Sequence, residues 1–488
     1  MIKTLWIGIT AVWMVSAVRL TAQPLKPYGA LPTAAQLQWQ DMEMYMFVHF
    51  GPNTFTDKEW GSGTENPDVF HPTDLDCRQW ARTAVLAGMK GIVITAKHHD
   101  GFCLWPSRYS THTVAQSSWE GGHGDVLRAL SEACREYGIG FGVYLSPWDR
   151  NHPAYGTSAY NGVFADMLRE IYSRYGPVFE QWFDGAKGSG PGVKPQQYDW
   201  KLYDGTVDSL QPGCVIFSDV GPGARWVGNE KGYAGKTNWC TLNTAGFTPG
   251  KGAPPQQSLN HGDEGGTRWV PAESDVSIRP GWFYSPETND KVKSVAELAE
   301  IYYATVGRNA NLILNVPADR RGHIAPEDSV ALMGFRKWRS ESFHDNLAVY
   351  SRCTASDTRG NNLFFRAANL TDGDRATYWA ADDGVTTATL TLAFRKPVTF
   401  NNLVISEYIR LGQRVKAFDV EVLRDGKYVP VASGTTIGHK RILRFGEVTA
   451  DHVRVRITAS LAPPAISGIG LYKAVVLKGM NPGGETGD

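Results

Sequence analysis

The sequence is poor in charge. Of its 488 residues 20% are charged, and 49 Lys and Arg are matched by 49 Asp and Glu. A chain without net charge has no field to draw it to nucleic acid or to an anionic membrane surface. Cysteine is sparse as well. Cys77, Cys103, Cys134, Cys214, Cys240 and Cys353 contain no CxxC pair, so no zinc-ribbon spacing is present. They read as scattered, mostly buried thiols, with one disulfide of undefined connectivity open in an oxidising compartment. No GxGxxG follows a strand-like run and no GxxxxGK[ST] occurs, which removes the usual nucleotide-phosphate loops. Beyond the first twenty residues there is no long apolar run, so no membrane span is expected.

The N-terminal residues contain what the rest lacks. Lys3 is followed by a short apolar run that Arg19 interrupts, with small residues near Ala17 and Ala22. Residues 1–23 are therefore expected to be a secretory signal peptide cleaved near Ala22 or Gln23, making the protein exported, periplasmic or secreted. No Cys lies near the cleavage region to carry a lipid anchor. Aromatics are plentiful, with 16 Trp, 20 Tyr and 20 Phe. Most of these serve as core, but aromatic faces also stack on the C–H faces of sugar rings, a mild pointer to a neutral, hydroxylated substrate.

From residue 24 to 345, strand-like runs alternate with helical ones. Met44 to Phe50, Gly91 to Ala96, Ile139 to Leu145, Val178 to Asp184, Cys214 to Ser218 and Ala310 to Val316 read as strands. Helical patterns fall between them, as at Asp74 to Met89 and Gly124 to Tyr137. Repeated alternation over about 300 residues predicts an α/β fold with parallel strands, a (β/α)₈-like barrel, in preference to a doubly wound open sheet. Residues 219–290 alternate poorly and are expected to form long loops with one or two helices missing. From 346 to 478 the pattern changes to short alternating runs separated by turns, an all-β sandwich of the jelly-roll kind. The Gly-rich and acidic end, 479–488, is expected to fray.

In a barrel the C-terminal strand ends share one face, where catalytic groups sit. Here the strand ends carry His49, the triplet Lys97-His98-His99, the run Tyr144-Leu145-Ser146-Pro147-Trp148, and Trp182-Phe183-Asp184. Three His and a carboxylate also suit zinc or iron. The adjacency of His98 and His99 argues against a metal, because neighbours at a strand end point to opposite sides. Neutral imidazoles bonding hydroxyls are the preferred reading. An isolated Asp-Gly is more often a turn or cap, but Asp184 ends an apolar strand among these clusters. Glycoside hydrolysis needs a second carboxylate. Glu230 and Glu273 are the candidates, and spacing does not separate them.

Taken together, Met46-Phe47-Val48-His49, Glu59-Trp60, Lys97-His98-His99-Asp100-Gly101-Phe102, Tyr144 to Trp148 and Trp182-Phe183-Asp184-Gly185 resemble the barrel of glycoside hydrolase family 29, the α-L-fucosidases. The resemblance covers about residues 40 to 345. It implies a retaining mechanism on terminal α-linked L-fucose with Asp184 as nucleophile. It places His49, Glu59, Trp60, His98, His99, Tyr144 and Trp182 against the sugar's hydroxyls and methyl face. The stretch Arg225-Trp226-Val227-Gly228-Asn229-Glu230 resembles the subgroup acting on α1,3/1,4-linked, Lewis-type fucose, which makes Glu230 the acid/base ahead of Glu273. Trp282 is then expected to stack on sugar and Arg225 to contact fucose. The run Asn369 to Trp379 resembles discoidin-like carbohydrate-binding modules, in which Asp372 and Asp374 are candidate ligands of a structural calcium. No cofactor is required by this reading, and the partners implied are fucosylated oligosaccharides or glycoconjugates. A fucosidase of broader specificity, a fucose-binding lectin and a His-based metal hydrolase are the alternatives.

Overall fold

The computed structural model describes residues 23–188, 194–250 and 252–481. The expected signal peptide lies outside these residues but for Gln23. So does the expected tail from residue 482 on. No helix among the described residues is long and apolar enough to cross a membrane.

Eight parallel strands close into a barrel: β1 (Met44–Val48), β2 (Gly91–Lys97), β3 (Gly140–Leu145), β4 (Glu180–Trp182), β5 (Val215–Ser218), β6 (Ala224–Trp226), β7 (Ala272–Ser277) and β8 (Ala310–Asn315). Helices Cys77–Leu86, Val126–Glu136, Ala159–Arg174, Trp200–Leu210, Val295–Ala304 and Pro326–Ser342 follow strands β1 to β4, β7 and β8. Several start where a short polar side chain caps the free N–H groups. Asp76 accepts from Gln79 N, Asp125 from Arg128 N and Asp199 from Leu202 N, while Ser294 and Glu297 form a capping box.

The weak region is irregular, as expected, yet it contains two barrel strands. The chain passes from β5 to β6 with no helix, and only the short helix Gln256–His261 lies between β6 and β7. These strands escape pattern reading for a physical reason. β6 is three residues long, and β7 reads Ala-Glu-Ser-Asp-Val-Ser, with no apolar alternation. Helix Ala34–Met42 takes up part of the gap. Gln36 Nε2 donates to Gly223 O and Trp269 O, both at 2.8 Å, and Asn311 Nδ2 on β8 donates to Trp39 O at 2.7 Å.

The C-terminal domain is antiparallel: β9 (Arg352–Ala355), β10 (Trp379–Ala380), β11 (Ala388–Glu407), β12 (Val415–Arg424), β13 (Lys427–Gly434), β14 (Arg441–Ser460) and β15 (Ala465–Tyr472). The order is β10-β15-β11-β14-β12-β13, with β9 on β11. Runs that look separate in sequence, 388–394 and 402–406, belong to one twenty-residue strand whose pairing shifts register after Ala393 and after Phe400. Its own core contains Trp379, Leu390, Phe400, Val420, Val455 and Ile466.

The sandwich is bonded to the barrel. Arg444 makes two 2.7 Å bonds to Glu300 and covers the Tyr303 ring at 4.2 Å. Lys440 pairs with Glu43 at the entry to β1, where Arg375 also bonds Glu43 at 3.1 Å. The last described residues pack back on the barrel: Trp338 Nε1 donates to Val475 O at 2.9 Å, and Met480 is buried. Fraying therefore does not begin at Gly479, because Met480 is apolar and finds a place in the barrel core.

Burial alone would push Glu43 up, but Lys440, His439 and Arg375 around it pull its pKa down to about 2. That stabilisation is complete above the ordinary carboxylate range and is lost as pH falls toward 2. Breaking a fully buried pair costs about 3–5 kcal/mol. Glu43 keeps 19% side-chain exposure and its Arg375 partner, so Lys440→Ala should lower stability by about 2 kcal/mol at neutral pH. Denaturant unfolding at pH 7 checks this, and an unchanged midpoint would refute it.

Candidate active site

Alternation along each strand sets the layers of the barrel interior. On β4 and its end, Glu180, Trp182 and Asp184 occupy successive inward positions. Tyr45, Phe47 and His49 do so on β1, and Glu273, Asp275 and Ser277 on β7. The middle layer is aromatic: Trp182 stacks on Phe217 at 4.3 Å and on Tyr144 at 5.2 Å, with Phe47 at 5.3 Å. This packed floor carries the reactive groups at its top.

Asp184 is anchored there by two donors. Tyr144 OH bonds Oδ2 at 2.9 Å and Ala186 N bonds Oδ1 at 2.7 Å, and the side chain keeps 23% of its surface exposed. His99 Nε2 stands 3.6 Å from Oδ2, too far for a hydrogen bond. The tautomer of His99 follows from its other nitrogen. Ser146 Oγ donates to Trp148 O at 2.8 Å, so it accepts from His99 Nδ1, also at 2.8 Å. Nε2 is then a bare acceptor beside a carboxylate. Two acceptors at that separation are suited to a shared donor such as a hydroxyl.

His49 is set by the same logic. Asn315 Nδ2 donates to Trp282 O and to Ser277 Oγ, both at 2.9 Å, so its Oδ1 must accept from His49 Nδ1 at 2.8 Å. Burial holds His49 down to about 3 and His99 to about 4, and His98 well below the ordinary histidine range. All three are neutral at working pH, fitted to hydroxyls rather than to anions. His98 and His99 do not point to opposite sides. β2 ends at Lys97 and a turn closed by Gly101 N to His98 O replaces the strand, so the two rings lie 4.2 Å apart. No group of three or more His, Cys, Asp or Glu among the described residues is arranged to hold a metal ion.

The rim joins three loops. Glu59 accepts from Trp282 N at 2.7 Å and from Phe283 N, tying the loop after β1 to the loop after β7. Gly281 has φ +77°, and a Cβ there would run into the Glu59 carboxylate, so glycine is required. The Trp282 side chain bonds Glu230 in the loop after β6 and lies 5.1 Å from His49. Trp60 stands 56% exposed at the mouth, edge-on to Trp148 at 5.5 Å. Glu230 is open to solvent as a residue. Shielding of its carboxyl and then the charge of Asp184 raise its pKa. The charge of Asp184 thus reaches Glu230 on the rim.

Some expectations need correction. Arg225 is fully buried on the outer side of β6. Its guanidinium donates to Leu259 O at 2.9 Å, to Asn238 Oδ1 at 2.8 Å and to Val270 O. It satisfies carbonyls where the barrel lacks a helix and does not reach the pocket. The inward residue of β6 is Trp226, which donates to Asp275 Oδ1 at 2.8 Å. Glu273 is fully buried on the lower level, bonded by Tyr45 and Trp182, and so cannot protonate a leaving group. Trp182 lies in the aromatic floor with its N–H turned down to Glu273. Asn315 and Phe283 escaped the sequence reading, although Asn315 ends β8 as His49 follows β1, and Ser146 enters it only as part of a strand-end run without a role of its own. Asp372 and Asp374 serve their own turn, accepting from Asp374 N, Thr377 Oγ1 and Ala376 N. The six cysteines are unpaired.

A carboxylate beside neutral imidazoles and indoles on the strand ends of a parallel barrel, with a second carboxylate on the rim close enough to feel its charge, is the equipment of a glycoside hydrolase. The sequence profile of the α-L-fucosidase family matches residues 7–342, and that of the F5/8 type C domain residues 352–469. The α-L-fucosidase 1 of Arabidopsis thaliana is 41% identical over 478 residues, 96% of this chain and 93% of that protein. The crystal structure of a glycoside hydrolase 29 family member from an unknown rumen bacterium is similar at a TM-score of 0.82 and 42% identity, covering 94% of this chain and 80% of that one. A Ruminococcus gnavus family 29 fucosidase in complex with fucose reaches 0.86 at 32% identity, covering 94% and 98%. The chain belongs to glycoside hydrolase family 29, the α-L-fucosidases, joined to a discoidin-like domain.

Proposed function

We propose that the protein is an exported, retaining α-L-fucosidase that releases terminal α1,3/1,4-linked L-fucose from Lewis-type glycans. The observation that carries this reading is the pair of carboxyls at the top of the barrel: Asp184 held by Tyr144 and Ala186, and Glu230 made a weaker acid by shielding and then by that charge. Asp184 attacks the anomeric carbon while Glu230 protonates the departing oxygen. The fucosyl ester then neutralises Asp184, which removes one cause of the raised Glu230 pKa and lets Glu230 take a proton from water. Export rests on the leader-like residues 1–23, and the linkage preference on the stretch from Arg225 to Glu230. Exposed Trp60 and half-buried Trp226 and Trp282 offer flat faces to a branched glycan at the rim.

Fucose release from a Lewis-type trisaccharide and from 2′-fucosyllactose tests the linkage. We expect the branched trisaccharide to be cleaved at least about 10²-fold faster in kcat/KM, since a misfit of the second sugar costs several contacts at once. Equal rates would leave the enzyme a fucosidase and discard the linkage preference.

A further inference from the structure

Beneath the aromatic floor, two carboxyls meet where no substrate reaches. Glu180 on β4 and Glu273 on β7 are both fully buried. Neither has a cationic partner among the described residues. Glu273 is well supplied with donors: Trp182 Nε1 bonds Oε1 at 2.8 Å and Tyr45 OH bonds Oε2. Glu180 Oε1 accepts from Trp39 Nε1 at 3.2 Å and lies 3.4 Å from Tyr45 OH, but its Oε2 is buried with no donor.

Two ionised carboxylates side by side without a cation would carry a desolvation cost that their few donors do not offset. One proton shared between them resolves both difficulties. On Glu180 Oε2 it turns the orphaned acceptor into a donor toward Glu273, whose oxygens already accept from others. Burial and the neighbouring carboxyl raise Glu180 well above the usual range, which agrees with this placement.

We propose that Glu180 and Glu273 hold a single proton between them, acid on Glu180 and carboxylate on Glu273, and that this pair is a positioning device for Asp184. The connection is short. The Glu273 carboxylate draws the Trp182 N–H down and fixes the indole in its plane. Tyr144 stacks on that indole at 26° and gives its hydroxyl to Asp184. Trp182 is also two residues before Asp184 on the same strand end. Neither Glu touches substrate; both act through Trp182 and Tyr144. This inference rests on the reading of Asp184 as nucleophile.

Amide variants separate the two roles. Glu180→Gln keeps a donor, its N–H₂ replacing the acid O–H, so kcat and KM should stay within about three-fold of wild type. Glu273→Gln removes the charge and turns an amide donor toward Tyr45 or Trp182. It should lower kcat about 10²-fold with KM within about three-fold, as for an interaction felt mainly in the transition state. Trp182→Phe keeps an aromatic face and loses the N–H with the five-membered ring. It should lower kcat about ten-fold and covers the case in which Glu273→Gln does not fold, which a thermal unfolding scan reports. An equal loss in both amide variants, or wild-type kcat in Glu273→Gln or Trp182→Phe, overturns the inference. Asp184→Ala runs alongside; activity there would overturn the nucleophile reading instead, whatever the interior variants do.

Discussion

Asp184→Ala is expected to abolish hydrolysis, with kcat falling on the order of 10⁴-fold or more, because removal of a nucleophile leaves only binding and the remaining polar groups. The alanine does not disturb the fold. Asp184 lies at a strand end, partly exposed, and its two partners, Tyr144 OH and Ala186 N, can turn to water. KM should therefore change little, since the imidazoles and indoles that meet the sugar stay in place. Added azide fits the space left by the carboxylate and attacks from the same side. The product expected from Asp184→Ala is the fucosyl azide of inverted, β configuration. Near-wild-type turnover in this variant, with no azide effect, would remove Asp184 from the mechanism.

Glu230→Ala should show a different signature. On natural glycans, whose leaving groups are poor, kcat/KM should fall about 10²–10⁴-fold with loss of the general acid. Aryl fucosides with acidic phenols need little protonation, so their glycosylation step should be nearly spared and the fucosyl intermediate should accumulate. Azide needs no general base; it should release that intermediate as the azide of retained, α configuration. The pH dependence has a definite sign. Glu230 must be protonated in the free enzyme, and its pKa is raised by shielding and then by the charge of Asp184. Wild-type kcat/KM should fall as pH rises through that raised value, and the limb should vanish in Glu230→Ala. A persisting alkaline limb, or azide products of one configuration from both variants, would move the acid/base role elsewhere; buried Glu273 is not available for it.

Much of this was legible in the residues. Strands β1 to β3, β5 and β8 are largely apolar runs, because a strand buried on both faces mostly excludes polar side chains outside its ends; β4, with Glu180 and Gln181, is marked instead by the apolar residues that flank it. Their ends stand out for the same reason: His49, His98, His99, Tyr144 and Asp184 interrupt or close hydrophobic stretches. The helices begin at capping residues such as Asp76, Asp125 and Ser294, which act within one turn. The family motifs lie on these same elements. Local patterning and motif order were therefore enough for the barrel, the place of Asp184 at a strand end and the all-β tail.

What the tertiary structure alone decided is depth and direction. Glu230 and Glu273 look alike as carboxylates of the irregular region, yet one stands on the rim and the other lies two levels down, because β7 turns its polar residues inward. Arg225 and Trp226 are neighbours, and the alternation of a three-residue strand sends Arg225 to the outer wall and Trp226 to the interior. His98 and His99 meet because the strand stops at Lys97 and a turn carries both rings to one side. Burial, proton sharing between Glu180 and Glu273, and the Glu43–Lys440 contact between domains all join residues 90 to 400 positions apart. Such pairs leave no periodic trace in sequence, since their chemistry depends on which layer of a closed barrel each side chain enters and not on what precedes or follows it.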